Sequence, residues 1–343
     1  MEKGLSFFLG ANSGGGFSSR YGALLAHRFD ELVILKGGPG CGKSSLMRTV
    51  AAAAEARGET VHRILCSGDP DSLDGVILEE ENRAYVDGTA PHVIEPRYAV
   101  VHERYLDLSP YYDAAVREER AEIVRAQDAC SAAYVSSYRV VGALAALRRE
   151  RNARLCASFD LSKFLRRAEG IAARELRGKG SGGAAAGVFF DALSCRGALH
   201  LAPDAAEGYE HVYTLDDSAL LAAPALELLK ERAIAAGERV LVGYDVLQSD
   251  VPRHLLIPSR SLAFVTGGES AYRRVRLDAA AEGTLSRSEK AHLRLLRRLC
   301  RELELEAVKA LAAAKAAHDT LEALYHPYVD FAAVAALAER EAK

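Results

Sequence analysis

The sequence predicts an α/β protein made of one unit written twice, each copy a parallel sheet covered by helices with a long helical hairpin appended. Three observations predict it. Residues 31–88 align without a gap on residues 210–267 at a constant offset of 179, with 11 identities among 58 pairs, where roughly four are expected by chance. Within each copy, short apolar runs alternate with helical periodicity, and such alternation implies parallel strands, which need long crossovers. Both copies then run into long Ala- and Arg-rich helical sequence.

The elements follow in chain order. "LVILK", from Leu32, is an apolar, β-branched run suited to a central strand. Leu46, Met47, Val50, Ala51 and Ala54 then recur at helical spacing, and Gly58 supplies a left-handed stop. "VHRIL", "GVIL" and "AYVDG" follow as further strands. Helices are expected over roughly 114–155 and 161–177 in the first copy, and 286–324 and 330–341 in the second. Both pairs break near an aromatic residue and an aspartate, "CASFDLSKF" against "HPYVDFAAV". "RGKGSGGAAAG", Arg177 to Gly187, has too little apolar surface and too much glycine for either element and reads as the linker. Two domains result, 1–180 with an arm over about 114–177, and 181–343 with an arm over about 286–341.

Composition bounds the function only loosely. With 49% hydrophobic and 27% charged residues and a formal charge of −3, the chain has no bulk attraction for nucleic acid or anionic lipid. Six cysteines, none at metal or redox spacing, fit a reducing cytoplasm. The N-terminal apolar run is too short for a membrane span and weak as a secretion signal, and a related "GVFFDALSCRGAL" recurs from Gly187. Arginine-rich stretches in the arms, "LRRERNARL" and "LRLLRRLCRELELE", are interleaved with acids, the pattern of a solvated helix face rather than a nucleic-acid surface. The arms are instead places where a protein partner would dock.

The chemistry is concentrated in "GGPGCGKSS", which fits G-x-x-x-x-G-K-[ST]. Gly37, Gly38, Gly40 and Gly42 let the backbone turn so that the N–H groups through Cys41 and Ser45 face an anion at a helix N-terminus. Lys43 is placed to reach between β- and γ-phosphate oxygens, and the Ser44 hydroxyl to ligate Mg²⁺. The fold expectation is therefore a nucleoside triphosphatase-like sheet of the phosphate-loop type, with ATP and Mg²⁺ as ligands. Asp87, where "AYVDG" ends, is the expected second magnesium contact, although Asp-Gly at a strand end is also an ordinary turn. Asp69, Asp71 and Asp74 compete for that role or for orienting a water, as does the run Glu79 to Glu81 for the latter. His92 is a candidate γ-phosphate sensor. Cys41, near Lys43 and a helix N-terminus, is expected to favour thiolate, though filler at a permissive position is the simpler reading.

The second copy lacks all of this. Asp216 and Asp217 stand where the first copy has Gly37 and Gly38, Leu221 for Gly42, Ala222 for Lys43, Ala223 for Ser44 and Thr266 for Asp87. Two acids there are expected to repel phosphate, and leucine to block the turn. The second half is then a docking or regulatory copy, and pseudo-twofold packing is one route for Arg253, Arg260, Arg273 or Arg274 to approach the γ-phosphate.

At "LKGGPGCGKSSLM", "CSGDPDSLDGVILEE" and "AYVDGTAPHVIEPRY" the sequence resembles a little-characterised bacterial family of duplicated P-loop ATPases without an assigned substrate. The resemblance runs over nearly the whole chain and implies ATP binding at Gly37 to Ser45, with hydrolysis. Members often keep a phosphate loop in the second half; its loss here tells against any mechanism that needs two active sites. The leading expectation is a Mg²⁺-dependent ATPase with one active half. A small-molecule kinase and a non-hydrolysing, nucleotide-gated binding protein would carry the same loop.

Overall fold

A computed structural model describes residues 4–22, 24, 29–178, 180–267, 273–283 and 285–343. In the first half the strands are β1 (Ser6–Phe7), β2 (Gly10–Ser13), β3 (Gly16–Ser19), β4 (Glu31–Lys36), β5 (Val61–Leu65), β6 (Leu73–Leu78), β7 (Arg83–Asp87) and β8 (Glu103–Asp107). Helix α1 (Lys43–Ala56) follows β4, and α2 (Arg120–Ser158) and α3 (Leu161–Glu175) form the arm. The second half repeats the plan with β9 (Ala184–Val188), β10 (Asp191–Ser194), β11 (Gly197–His200), β12 (His211–Asp216), β13 (Arg239–Tyr244), β14 (Pro252–Ile257), β15 (Leu262–Thr266) and β16 (Arg273–Arg276). Its long helices are α4 (Ala223–Ala235), α5 (Arg287–Tyr325) and α6 (Phe331–Glu341).

Each half builds a six-stranded sheet, in the order β1-β5-β6-β7-β4-β8 and, equivalently, β9-β13-β14-β15-β12-β16. The duplication is thus carried into topology. The sheets are mixed, not parallel as the sequence led us to expect. β4 is parallel to β7 and β8, but β6 runs antiparallel to both β5 and β7, as β14 does to both β13 and β15. The cause is length: only residues 79–82 separate β6 from β7, enough for a hairpin and far too few for a crossover.

The glycine-rich stretch is a connector only as far as Gly183. Ala184 to Val188 form β9, a parallel edge strand on β13, where backbone pairing compensates for small, mostly exposed side chains. The halves meet at equivalent residues: Phe8 and Phe189 exchange backbone hydrogen bonds at 2.8 and 2.9 Å, both fully buried. One apolar core contains residues of both sheets, among them Leu9, Ile34 and Val86 with Phe190, Leu256 and Val265.

The arms are not hairpins. Helix α2 packs along α5, so the long helices pair with each other, while each short helix crosses to the opposite half. Thus α3 covers α4, burying Ala168, Ile171 and Ala172 with Leu226 and Leu229. Reciprocally α6 covers α1, burying Leu337 and Ala338 with Met47 and Val50. The breaks between long and short helices are built alike: Asp160 and Asp330 accept from the N–H groups of Lys163 and Ala333, each capping the helix that follows. The stretch Ala114–Ser158 contains a window of mean hydropathy 1.2, enough by length and composition alone for a membrane span; its buried residues Val141, Leu144 and Ala145 pack in the core shared with α5.

Candidate functional site

Strand β4 is flanked on both sides by parallel neighbours and is buried through its four central residues. The loop Gly37–Gly42 leaves its carboxyl end and feeds α1, whose first residue is Lys43. Gly40 and Gly42 have φ of +69° and +91°, left-handed values that favour glycine. These positions reverse the chain over the start of α1, where unpaired N–H groups and the helix dipole favour an anion.

The structure brings the predicted residues Lys43, Ser44 and Asp87 together. Lys43 Nζ donates to the carbonyls of Gly37 and Gly38 at 3.1 and 3.0 Å and lies 3.6 Å from Asp87 Oδ2. The other oxygen, Asp87 Oδ1, accepts from the Thr89 N–H and hydroxyl at 2.8 and 2.6 Å. Ser44 Oγ accepts from the Leu73 N–H at 2.9 Å, which ties α1 to the start of β6. Ser45 is exposed and Cys41 buried.

Asp74 belongs with them. Gly75 pairs with Val86 across the β6–β7 hairpin, and the register carried one step further sets Asp74 opposite Asp87. Asp74 is buried, accepts from the Tyr21 hydroxyl at 2.9 Å and lies 3.4 Å from His92 Nε2. Burial pushes its carboxyl above the usual range, His92 opposes the shift, and the nearby Asp87 adds to it. His92 is buried against Phe17 and Tyr21, and its Nδ1 has no protein partner.

Other candidates are placed elsewhere. Asp69 pairs with Lys315 of α5 at 3.2 Å and Asp71 with Arg196 of the second half, so both face the other half rather than Lys43. Glu79, Glu80 and Glu81 lie at the turn of the β6–β7 hairpin, the end opposite Asp74 and Asp87; Glu80 accepts from the Thr60 N–H, and Glu81 pairs with Arg57 and Arg83. The Cys41 thiol is pushed up by burial, against the influence of Lys43. Burial therefore outweighs Lys43, against the expected thiolate. The four arginines considered as donors to the γ-phosphate are all engaged elsewhere: Arg253 with Asp191 and Asp245, Arg260 with Glu238 and the Arg177 carbonyl, Arg273 with Tyr213 and Arg274 with Asp216.

What the second half does present to the loop comes from its arm. The Gly40 N–H donates to Glu322 Oε1 of α5 at 3.1 Å. A Cβ on Gly40 would meet the His326 ring at 2.8 Å, and one on Gly42 would meet Val334 at 3.1 Å. Sequence reasoning missed these residues because helical periodicity locates an arm but not the surface it crosses to. It also left Asp74 among competitors, though reading 79–82 as a hairpin turn would have paired it with Asp87.

The degenerate loop is filled rather than merely emptied. Asp217 Oδ1 accepts from the N–H groups of Ala219 and Leu221 at 3.1 and 2.9 Å, and Oδ2 from Ala222 at 2.8 Å. Arg151 of α2 donates to the Ser218 carbonyl at 2.7 Å, closing the loop from the first half's arm. The turn expected to be blocked is made by Leu220 at φ +60°, a strain of about 1–2 kcal/mol for a non-glycine residue. A built-in carboxylate satisfies three N–H groups of this loop. Comparison of the chain with protein-family models, with curated proteins and with solved structures returns no match.

Proposed function

We propose that the first half binds ATP on the Gly37–Ser45 loop and hydrolyses it, while the second half is a regulatory copy. The observation that carries this reading is the convergence of Lys43, Ser44 and Asp87 at the start of α1 beneath a loop with left-handed glycines. Lys43 supplies a cation between phosphate oxygens, and the loop N–H groups compensate charge that develops on the leaving oxygen. Ser44 Oγ and the Asp87 carboxylate are hard oxygen donors that fit Mg²⁺, with Asp74 across the hairpin. When bound, the cation neutralises phosphoryl charge. His92, adjacent to Asp74 and with a free ring nitrogen, is the group best placed to orient a water.

A nucleotide-gated binding protein with negligible turnover is the second reading, favoured by one observation: the exchanged arm rests directly on the loop. Release of phosphate from ATP by the full chain with Mg²⁺ separates the two. Under the first reading Lys43→Ala lowers turnover by about 100-fold or more; equal rates in wild type and variant would remove the hydrolase reading.

A further inference from the structure

We propose that Glu322 is a displaceable stand-in for nucleotide phosphate, so that a triphosphate entering the Gly37–Ser45 loop releases the arm of the second half. The proposal rests on the phosphate-binding reading of that loop. Its first support is the 3.1 Å bond from the Gly40 N–H to Glu322 Oε1, a loop donor of the kind that receives phosphate. A carboxylate and a phosphate cannot share it. Like charges a few Å apart at a part-buried site repel.

The contact is part of a wider seal. His326 covers Gly40 and Val334 approaches Gly42, both within about the van der Waals reach of a Cβ. The Asp330 N–H donates to the Tyr111 carbonyl at 2.9 Å and the Asp113 N–H to the Tyr328 carbonyl at 2.7 Å, pinning the turn between α5 and α6 beside the loop. Tyr112 and Tyr325 stack edge-on at 5.6 Å. The segment from Glu322 to Val334 therefore crosses the place where the polyphosphate chain would lie.

The second half provides an independent comparison. There Asp217 takes three loop N–H groups from within its own loop, so no movement of an arm can withdraw it. Glu322 takes one, from 282 residues away in sequence. The same device is thus permanent in one half and reversible in the other. Two states follow: arm docked with Glu322 on Gly40, or arm released with phosphate on Gly40. Because binding and release are linked, weakening the dock must tighten nucleotide binding.

The test is equilibrium binding of a fluorescent, non-hydrolysable ATP analogue with Mg²⁺ to the full chain, as wild type, Glu322→Gln, Glu322→Ala and Lys43→Ala, with hydrogen exchange followed over residues 318–341. Glu322 is partly exposed in the last turn of α5, so neither substitution threatens the fold. Both Glu322 variants should bind about tenfold tighter than wild type. The analogue should speed exchange over 326–341 in wild type. Binding by Glu322→Ala alone, with none by wild type, would support the latch in its strongest form. Unchanged affinity in both variants, or slower exchange over 326–341 on binding, would overturn it while leaving the loop reading intact. Absence of binding in every variant would overturn both.

Discussion

At the scale of single residues, the two loops differ in which carboxylate takes their N–H groups. Asp217 satisfies three N–H donors at the start of α4, and burial pushes its carboxyl up against the pull of those same bonds. Asp217→Ala should destabilise the chain by about 2–4 kcal/mol, since buried donors lose their acceptor; urea unfolding reads this directly. It should create no second nucleotide site, because Ala222 and Ala223 supply neither ammonium nor hydroxyl, so calorimetric stoichiometry stays at one per chain or below. Asp191 gives a pH signature. Although burial opposes it, His254 and Arg253 hold its carboxyl well below the usual range. A depressed folded pKa means stability that is complete above the ordinary value near 4 and drains away as pH falls below it. Asp191→Asn should lose stability at pH 7, and the difference from wild type should shrink in acid; a gap that stays constant down to about pH 3 would refute the linkage.

At the scale of elements, what was legible was what local chemistry decides. The arm helices begin within a few residues of their expected starts because Ser286 with Glu289 forms a capping box and Asp160 and Asp330 cap the short helices. The loop was legible because glycine spacing states a backbone need. Strand direction was not read correctly, although residues 79–82 are too few for a crossover. The partners of α3 and α6 were not legible at all: an apolar stripe says that a helix buries a face, not against which copy. That exchange makes a prediction. Leu337→Ala in α6 opens a gap beside α1 and should cost about 2–3 kcal/mol. Because α6 covers the Gly37–Gly42 loop, under the proposed function it should also tighten binding of an ATP analogue, whereas Leu229→Ala in α4 should destabilise comparably without changing affinity. Equal effects of both on affinity would mean that α6 does not gate the loop.

At the scale of the whole molecule, the duplication has produced interlocked halves rather than two beads. Four features cross between them: the Phe8–Phe189 backbone pair, the core that joins Ile34 and Val86 to Leu256 and Val265, the pairing of α2 with α5, and the reciprocal covering of α1 by α6 and α4 by α3. Each removes apolar surface that neither half can hide alone, and burial of that kind makes unfolding cooperative across the junction. The full chain should therefore melt in one transition, with calorimetric and van't Hoff enthalpies in agreement. Residues 1–180 expressed alone would leave the α1 face bare where Leu337 and Ala338 belong, together with the α3 face that covers α4. That fragment should be insoluble or should bind an apolar dye strongly, and mixing it with 181–343 should restore a single folded species. Two separated transitions in the full chain, or a soluble, cooperatively folded 1–180, would show that the exchanged arms are ornament on independent domains. The distinction matters for the latch: only if the halves are one cooperative unit can a phosphate arriving at Gly40 be felt, through Glu322 and the length of α5, where Leu293 and Leu296 join Leu155 and the core of the second sheet.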